Sequence, residues 1–193
     1  MPMNKAHRRL CSSEKWAKTM EETFLPWALD GVELGSDVLE IGPGYGANLR
    51  VLIGLAPRVT AVEIDGDSAR LLDETWGDRA RIVHGDASAL PLPDGSFSAV
   101  VAFTMLHHVP TDELQDRIFA EAFRVLAPGG VFAGSDSQPS LRFRLLHIGD
   151  TMNTLDAREL PGRLTAAGFT GVTVEPSPLP GGRSIRFRGR KPS

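Results

Sequence analysis

The stretch VLEIGPGYGANL, residues 38–49, constrains this chain more than any other. A short apolar run meets three glycines at alternate positions, Gly42, Gly44 and Gly46. Glycine loses more conformational freedom on folding than any other residue, so three in a row of five positions need a reason. A strand, a glycine-rich turn and a helix supply one. Missing Cβ atoms let a ligand approach the backbone, and the N–H groups at the helix start point at it. Taken alone, the spacing also fits a tight strand-to-helix turn that binds nothing.

The rest of the chain supplies the context. Residues 12–29 read as a helix with Ser12 and Ser13 as cap candidates, and Trp16, Met20, Phe24 and Trp27 at helical spacing; Pro26 is a place for it to split. Apolar or β-branched runs at 36–41, 58–64, 81–87, 97–103 and 131–136 alternate with helical patterns at 47–56, 67–76 and from Thr111 to Val125. Near-continuous apolar strands predict a parallel sheet covered on both faces. The end changes character. Asp156 and Glu159 fit a capping box, although Pro161 favours a later helix start, and Gly168 reads as its stop. GVTVEP and SIRFRG then read as two strands joined by SPLPGGR, a closing hairpin. Arg186 and Arg188 alternate with Ile185 and Phe187, which suits a half-exposed strand better than a nucleic-acid patch.

Composition narrows the classes. The 193 residues suggest one domain, divided into a helical extension (1–30), a ligand-binding core (31–137) and a last part (138–193) with a helix and the hairpin. A net charge of −3 does not favour nucleic acid or an acidic membrane as partner. No apolar run approaches a membrane span, and the opening MPMNKAHRRL has no apolar stretch behind it, so a cytoplasmic protein is expected. Cys11 is the one cysteine, which excludes an internal disulfide and a multi-cysteine metal site.

Acids at the strand ends point to a ligand. Glu63 closes the second strand, where a carboxylate accepts from both hydroxyls of a ribose. Asp86, beside Ala87, closes the third, where an acid can accept from the exocyclic amine of adenine; the plain alternative is a loop cap. Together with the glycine turn these describe a site for an adenine nucleoside.

The segments VLEIGPGYGANL, VTAVEID, VHGDASALPLPDGSFSAVVAFTMLHHV and EAFRVLAPGGVFAGSD, in this order, resemble the class I S-adenosylmethionine-dependent methyltransferases. The resemblance runs from about residue 36 to 137. It implies a three-layer, doubly wound α/β fold with a seven-stranded, mostly parallel sheet of order 3-2-1-4-5-7-6 and strand 7 antiparallel. It further implies that Glu40 and the backbone of Gly42, Gly44 and Gly46 face the methionine part of S-adenosylmethionine. Glu63 would hold the ribose, Ile64 would line the adenine, Asp86 and Ala87 would contact its edge, and Phe103 and Thr104 would touch the amino-acid end. A nicotinamide-binding Rossmann oxidoreductase is the rival, since Ala47 also satisfies G-x-G-x-x-G/A, but it has no use for Gly85-Asp86 and predicts further parallel strands. A non-catalytic cofactor-binding module is the second alternative.

Methyl transfer from a sulfonium is an in-line displacement, so positioning and desolvation suffice unless the acceptor carries a proton to be removed. His107, His147 and Asp150 are the candidates for that proton, and Tyr45 for covering the methionine part. A metal site from His107, His108, His147 and Asp150 is disfavoured because adjacent histidines on one element rarely aim at one ion, and no metal is expected. The Trp16, Met20, Phe24, Trp27 face serves packing, a lid over the acceptor, or both. A small-molecule acceptor is expected, with His147 reaching it from the segment 141–154.

Overall fold

The computed structural model describes residues 4–178 and 183–193; most of the SPLPGGR link, at 179–182, lies outside them. Seven strands form one sheet: β1 (Asp37–Ile41), β2 (Arg58–Glu63), β3 (Arg81–His84), β4 (Phe97–Phe103), β5 (Leu126–Ser137), β6 (Thr170–Pro176) and β7 (Ser184–Arg190). Their order is β3-β2-β1-β4-β5-β7-β6. The pairs among β1 to β5 are parallel, with Leu39 opposite Thr60 and Val100, while β7 runs antiparallel to both β5 and β6. This is the order expected, and the antiparallel β7 separates it from the all-parallel nicotinamide-binding sheet.

Period-two alternation divides the apolar residues between two faces. Leu39, Ile41, Val100, Ala102 and Phe132 pack with α6 (Asp112–Val125) and α8 (Leu160–Ala166), through Ile118, Phe119, Ala122, Leu160 and Leu164. Val38, Ala61, Ala99, Val101 and Phe103 face the other layer, built from α4 (Leu49–Leu55), α5 (Gly66–Trp76) and the N-terminal helices.

The N-terminal region departs from a single helix over 12–29. A further helix, α1 (Lys5–Cys11), precedes α2 (Glu14–Thr19), which Ser13 caps by accepting the Trp16 N–H at 3.2 Å. The helix then widens into one π-turn, Met20–Phe24, before α3 (Leu25–Ala28). Pro26 has no N–H to give Glu22, and the ladder shifts so that the Leu25 N–H reaches the Met20 carbonyl. At the other end, α8 begins at Leu160 with Pro161 in its first turn, so the capping box does not form; Asp156 instead accepts the Arg158 N–H. β5 begins at Leu126, earlier than the expected residue 131, with a register shift opposite Phe97–Ala99.

Arg186 and Arg188 of β7 are half-buried and hydrogen-bonded. Arg186 donates to Glu175 on β6 (2.6 and 3.0 Å) and to the Trp27 carbonyl at 2.7 Å, and lies over the Trp27 ring. Arg188 donates to Thr173 Oγ1 at 3.2 Å. An inner strand can therefore carry charge on one face, because the segment before β1 brings the Trp27 and Gly31 carbonyls and the face of the Trp27 ring against it.

Candidate functional site

All five parallel strands end at one edge of the sheet, and the side chains singled out by the sequence follow those ends. Between β1 and β4 the chain reverses its winding direction, the place where open α/β sheets take ligands.

The glycine turn leaves β1 with Gly42, Gly44 and Gly46 all at positive φ (66°, 56° and 79°), which explains the residue type. Their surroundings differ. A Cβ on Gly42 would stand 3.0 Å from the Met105 side chain, and one on Gly46 2.9 Å from Leu72. At Gly44 a Cβ would meet nothing within 4 Å. A side chain at Gly42 or Gly46 would crowd Met105 or Leu72, whereas one at Gly44 would extend into open space.

Glu40 is fully buried on β1, and among the described residues neither carboxylate oxygen has a hydrogen-bond partner. Burial, and then the charge of Glu63, push its pKa from 4.5 up to about 8, against an opposing pull from the neighbouring Asn48 side chain. Glu63, also buried, ties the turn to β2: Oε2 accepts the Gly44 N–H and Oε1 the Asp65 N–H, both at 3.0 Å. Each oxygen keeps a further acceptor position.

Beyond β2 and β3 lies an apolar cavity of about 290 Å³, lined among others by Gly42, Ile64, Asp86, Ala87 and Met105. Ile64 is 46% exposed, an apolar side chain held at the rim. Asp86 lines this cavity and also caps the short 3-10 turn Ala87–Ala89, its Oδ1 accepting from the Ser88 N–H and hydroxyl at 2.8 Å. The loop-cap reading of Asp86 therefore holds, and the same residue borders the cavity. Phe103 departs from expectation. Its side chain is buried in the core face with Val38 and Val101 and lines neither this cavity nor the next. Period two puts it there, since it shares a face with Ala99 and Val101.

A second cavity, of about 630 Å³, opens beyond β4 and β5. Thr104, the one non-glycine described residue at positive φ (51°), stands on its wall. Trp16 and Phe24 wall it from the N-terminal helices, and Phe143 and His147 from α7 (Leu141–Leu146) and its C-cap. The aromatic face of residues 12–29 thus serves a cavity wall as well as packing. Asn4 locks these two segments together: its backbone N–H donates to Asp150 Oδ1 at 2.6 Å and its side chain to the Leu146 carbonyl at 2.7 Å. Cys11 lines the same cavity, and burial, with the Asp150 charge, raises its thiol to about 11, so it stays protonated. Tyr45 is half-buried within electrostatic reach of Arg8, Cys11 and Glu63; burial raises its pKa.

His107 is buried on this wall. Its Nδ1 lies 2.5 Å from Oδ1 of the buried Asp136, and its backbone N–H donates to Oδ2 at 3.1 Å. Nε2 has no partner. His147 holds the Phe143 carbonyl through Nδ1 at 2.8 Å, again leaving Nε2 unpartnered. Asp150 does not join His147; it is taken by Asn4 and by His7 Nδ1, at 2.9 Å. His7 and Asp136 were not singled out in the sequence. Asp136 sits at the end of a strand, the position that marked Glu63 and Asp86, and that signal was available for it.

A methyltransferase domain model matches residues 39–134. A Mycolicibacterium smegmatis protein named a probable S-adenosylmethionine-dependent methyltransferase is 36% identical over 141 residues, 70% of this chain and 52% of that protein. A ribosomal RNA small subunit methyltransferase A from Synechococcus is 47% identical over 88 residues, 42% of this chain and 31% of that one. The chain belongs to the class I S-adenosylmethionine-dependent methyltransferases. It spans about half the length, or less, of the curated relatives it matches. The fold matches over the whole of both chains, with a TM-score of 0.75 at 18% identity, a Haloferax volcanii methyltransferase-fold protein solved with the Trm112 methyltransferase activator.

The residues of this class I domain fit its cofactor, S-adenosylmethionine. Glu40 is an orphaned buried carboxylate beside the glycine turn, and the cofactor's ammonium is a cation that can satisfy it. Gly44 offers the open space that close approach needs, and the apolar cavity past Ile64 suits an adenine ring. When bound, the cofactor supplies an electrophilic methyl group on a sulfonium. No helix of the described residues is long and apolar enough to cross a membrane.

Proposed function

We propose that this domain transfers the methyl group of S-adenosylmethionine to a small-molecule acceptor seated in the 630 Å³ cavity. The observation that carries the reading is the His107–Asp136 pair on the cavity wall. Asp136 accepts from Nδ1–H, which fixes the tautomer and leaves Nε2 as a base. An acceptor hydroxyl, thiol or ammonium gives its proton to Nε2, and Asp136 stabilises the imidazolium that results. Trp16, Phe24 and Phe143 exclude water and orient the acceptor for in-line attack. The cavity is walled on two sides by the chain's own helices and the net charge is −3, which favours a small molecule over RNA.

The test has two stages. Calorimetry with S-adenosylhomocysteine and with NADH should give binding of the first alone. A screen of small acceptors and short RNA with methyl-labelled cofactor should then label a small molecule, and His107→Ala should slow that transfer without weakening cofactor binding. Labelling of RNA alone would refute the small-molecule reading.

A further inference from the structure

One group of metal-ligating side chains among the described residues stands apart from the cofactor-facing set. One ring nitrogen from each of His7, His108 and His147 lies within 4.8 Å of the other two. Their ring centroids are 4.3 Å (His7–His147), 5.1 Å (His7–His108) and 5.5 Å (His108–His147) apart. The three come from α1, the loop after β4 and the C-cap of α7, so the fold has gathered them. Two of them are buried, and apolar side chains would fill the same space without stranding ring nitrogens.

The surroundings prepare these rings as ligands. His7 Nδ1 pairs with Asp150 Oδ2 at 2.9 Å, and the other carboxylate oxygen accepts the Asn4 N–H. His147 Nδ1 donates to the Phe143 carbonyl at 2.8 Å. Such bonds fix the tautomer and orientation of metal-bound histidines and leave Nε2 with the lone pair. Among the described residues, the buried His147 Nε2 has no partner.

We propose that His7, His108 and His147 bind one divalent transition-metal ion of the zinc type. Three imidazole nitrogens suit zinc and disfavour magnesium and calcium, which take oxygen ligands. Ligands at about 2.0–2.1 Å around a tetrahedral ion stand about 3.4 Å apart, so closing from 4.8 Å moves each ring by about 0.8 Å. His108 is the half-buried ring of the three. His107 stays outside the set, held by Asp136, so the neighbouring pair divides its work rather than sharing an ion. Three protein ligands leave a fourth position for water or an acceptor atom. The use of that position in catalysis rests on the acceptor reading above. A coordinated hydroxyl or thiol would give its proton to His107 Nε2 more readily. The methyl then passes from sulfonium to the coordinated atom, the carbon–sulfur bond breaking as the new bond forms, and S-adenosylhomocysteine is released.

The test uses the full chain stripped of metal with a chelator, and zinc alone as the probe. Calorimetry should show one equivalent bound, and cobalt(II) in its place should give the strong visible absorption of a tetrahedral site. His7→Gln and His108→Gln should each weaken zinc binding at least tenfold, and Asp150→Asn by about 10- to 100-fold. His84→Gln, on β3, should change nothing. Thermal melting and S-adenosylhomocysteine binding check that each variant is folded. The proposal is overturned if the wild-type chain takes up no zinc, or if uptake is unchanged in both His7→Gln and His108→Gln. A chain that binds S-adenosylhomocysteine but no zinc overturns the metal site and leaves the methyltransferase reading standing. Zinc uptake without S-adenosylhomocysteine binding does the reverse.

Discussion

Glu40→Gln isolates the electrostatics of the cofactor site. The native carboxyl is buried without a hydrogen-bond partner, and its pKa stands at about 8 instead of 4.5. Folding therefore raises its proton affinity. Between these two values the folded state binds more protons than the unfolded one, so stability falls as pH rises. The loss begins near pH 4.5 and levels off above pH 8. A gap of this size amounts to an energy on the order of 3–5 kcal/mol. Glutamine has the same shape and no charge, so the variant lacks this slope. Other effects of the substitution are constant with pH and cancel in the comparison. Relative to wild type, the variant should gain on the order of 3 kcal/mol between pH 4.5 and 8, or about 6–12 °C in melting temperature for a chain of this size. The assay is a thermal melt of both ligand-free chains at half-unit steps of pH. S-adenosylhomocysteine should bind the variant more weakly, because its ammonium loses a charged partner. A melting difference that stays constant from pH 4.5 to 8 would refute the argument that Glu40 is held as an uncompensated acid.

Three further outcomes follow from the same geometry. Gly44→Ala places a methyl group in open space at φ 56°, so it should fold with a loss of about 1–2 kcal/mol and weaken S-adenosylhomocysteine at least tenfold in a titration; unchanged affinity would mean the open space is not the ligand's. Glu63→Ala should weaken cofactor binding by about 1.5–3 kcal/mol in calorimetry, with some loss of stability because the Gly44 and Asp65 N–H groups lose their acceptor. Removing residues 1–20 should reduce methyl transfer far more than cofactor affinity, read as turnover against S-adenosylhomocysteine titration, because Trp16 walls the second cavity and does not line the first.

The sheet was legible because buried parallel strands announce themselves. FSAVVAF had to be a strand covered on both faces, and Phe97–Phe103 is one. Helix ends were legible where a single residue decides them, as at Thr111 and Gly168. Two features were not. α1 is a seven-residue helix, too short for a periodic pattern to stand out from KAHRRLC. The placement of Arg186 and Arg188 depends on what faces β7, and carbonyls from the segment before β1 arrive there only through the tertiary fold.

The candidate cofactor residues come together for a different reason than the histidines. Gly44, Glu63 and Asp86 follow successive strand ends, so chain order alone brings them to one edge. Even so, the pattern could not say that Gly42 and Gly46 answer to Met105 and Leu72, or that the Phe103 side chain turns into the core. His7 lies 101 positions before His108 and 140 before His147. No spacing rule spans such gaps. What joins them is the docking of α1 on the residues after α7, through Asn4 and Asp150. His107 turns to Asp136 while His108 faces His7 and His147, so the neighbouring pair divides between two sets of partners. One ring of the second set comes from the other end of the chain.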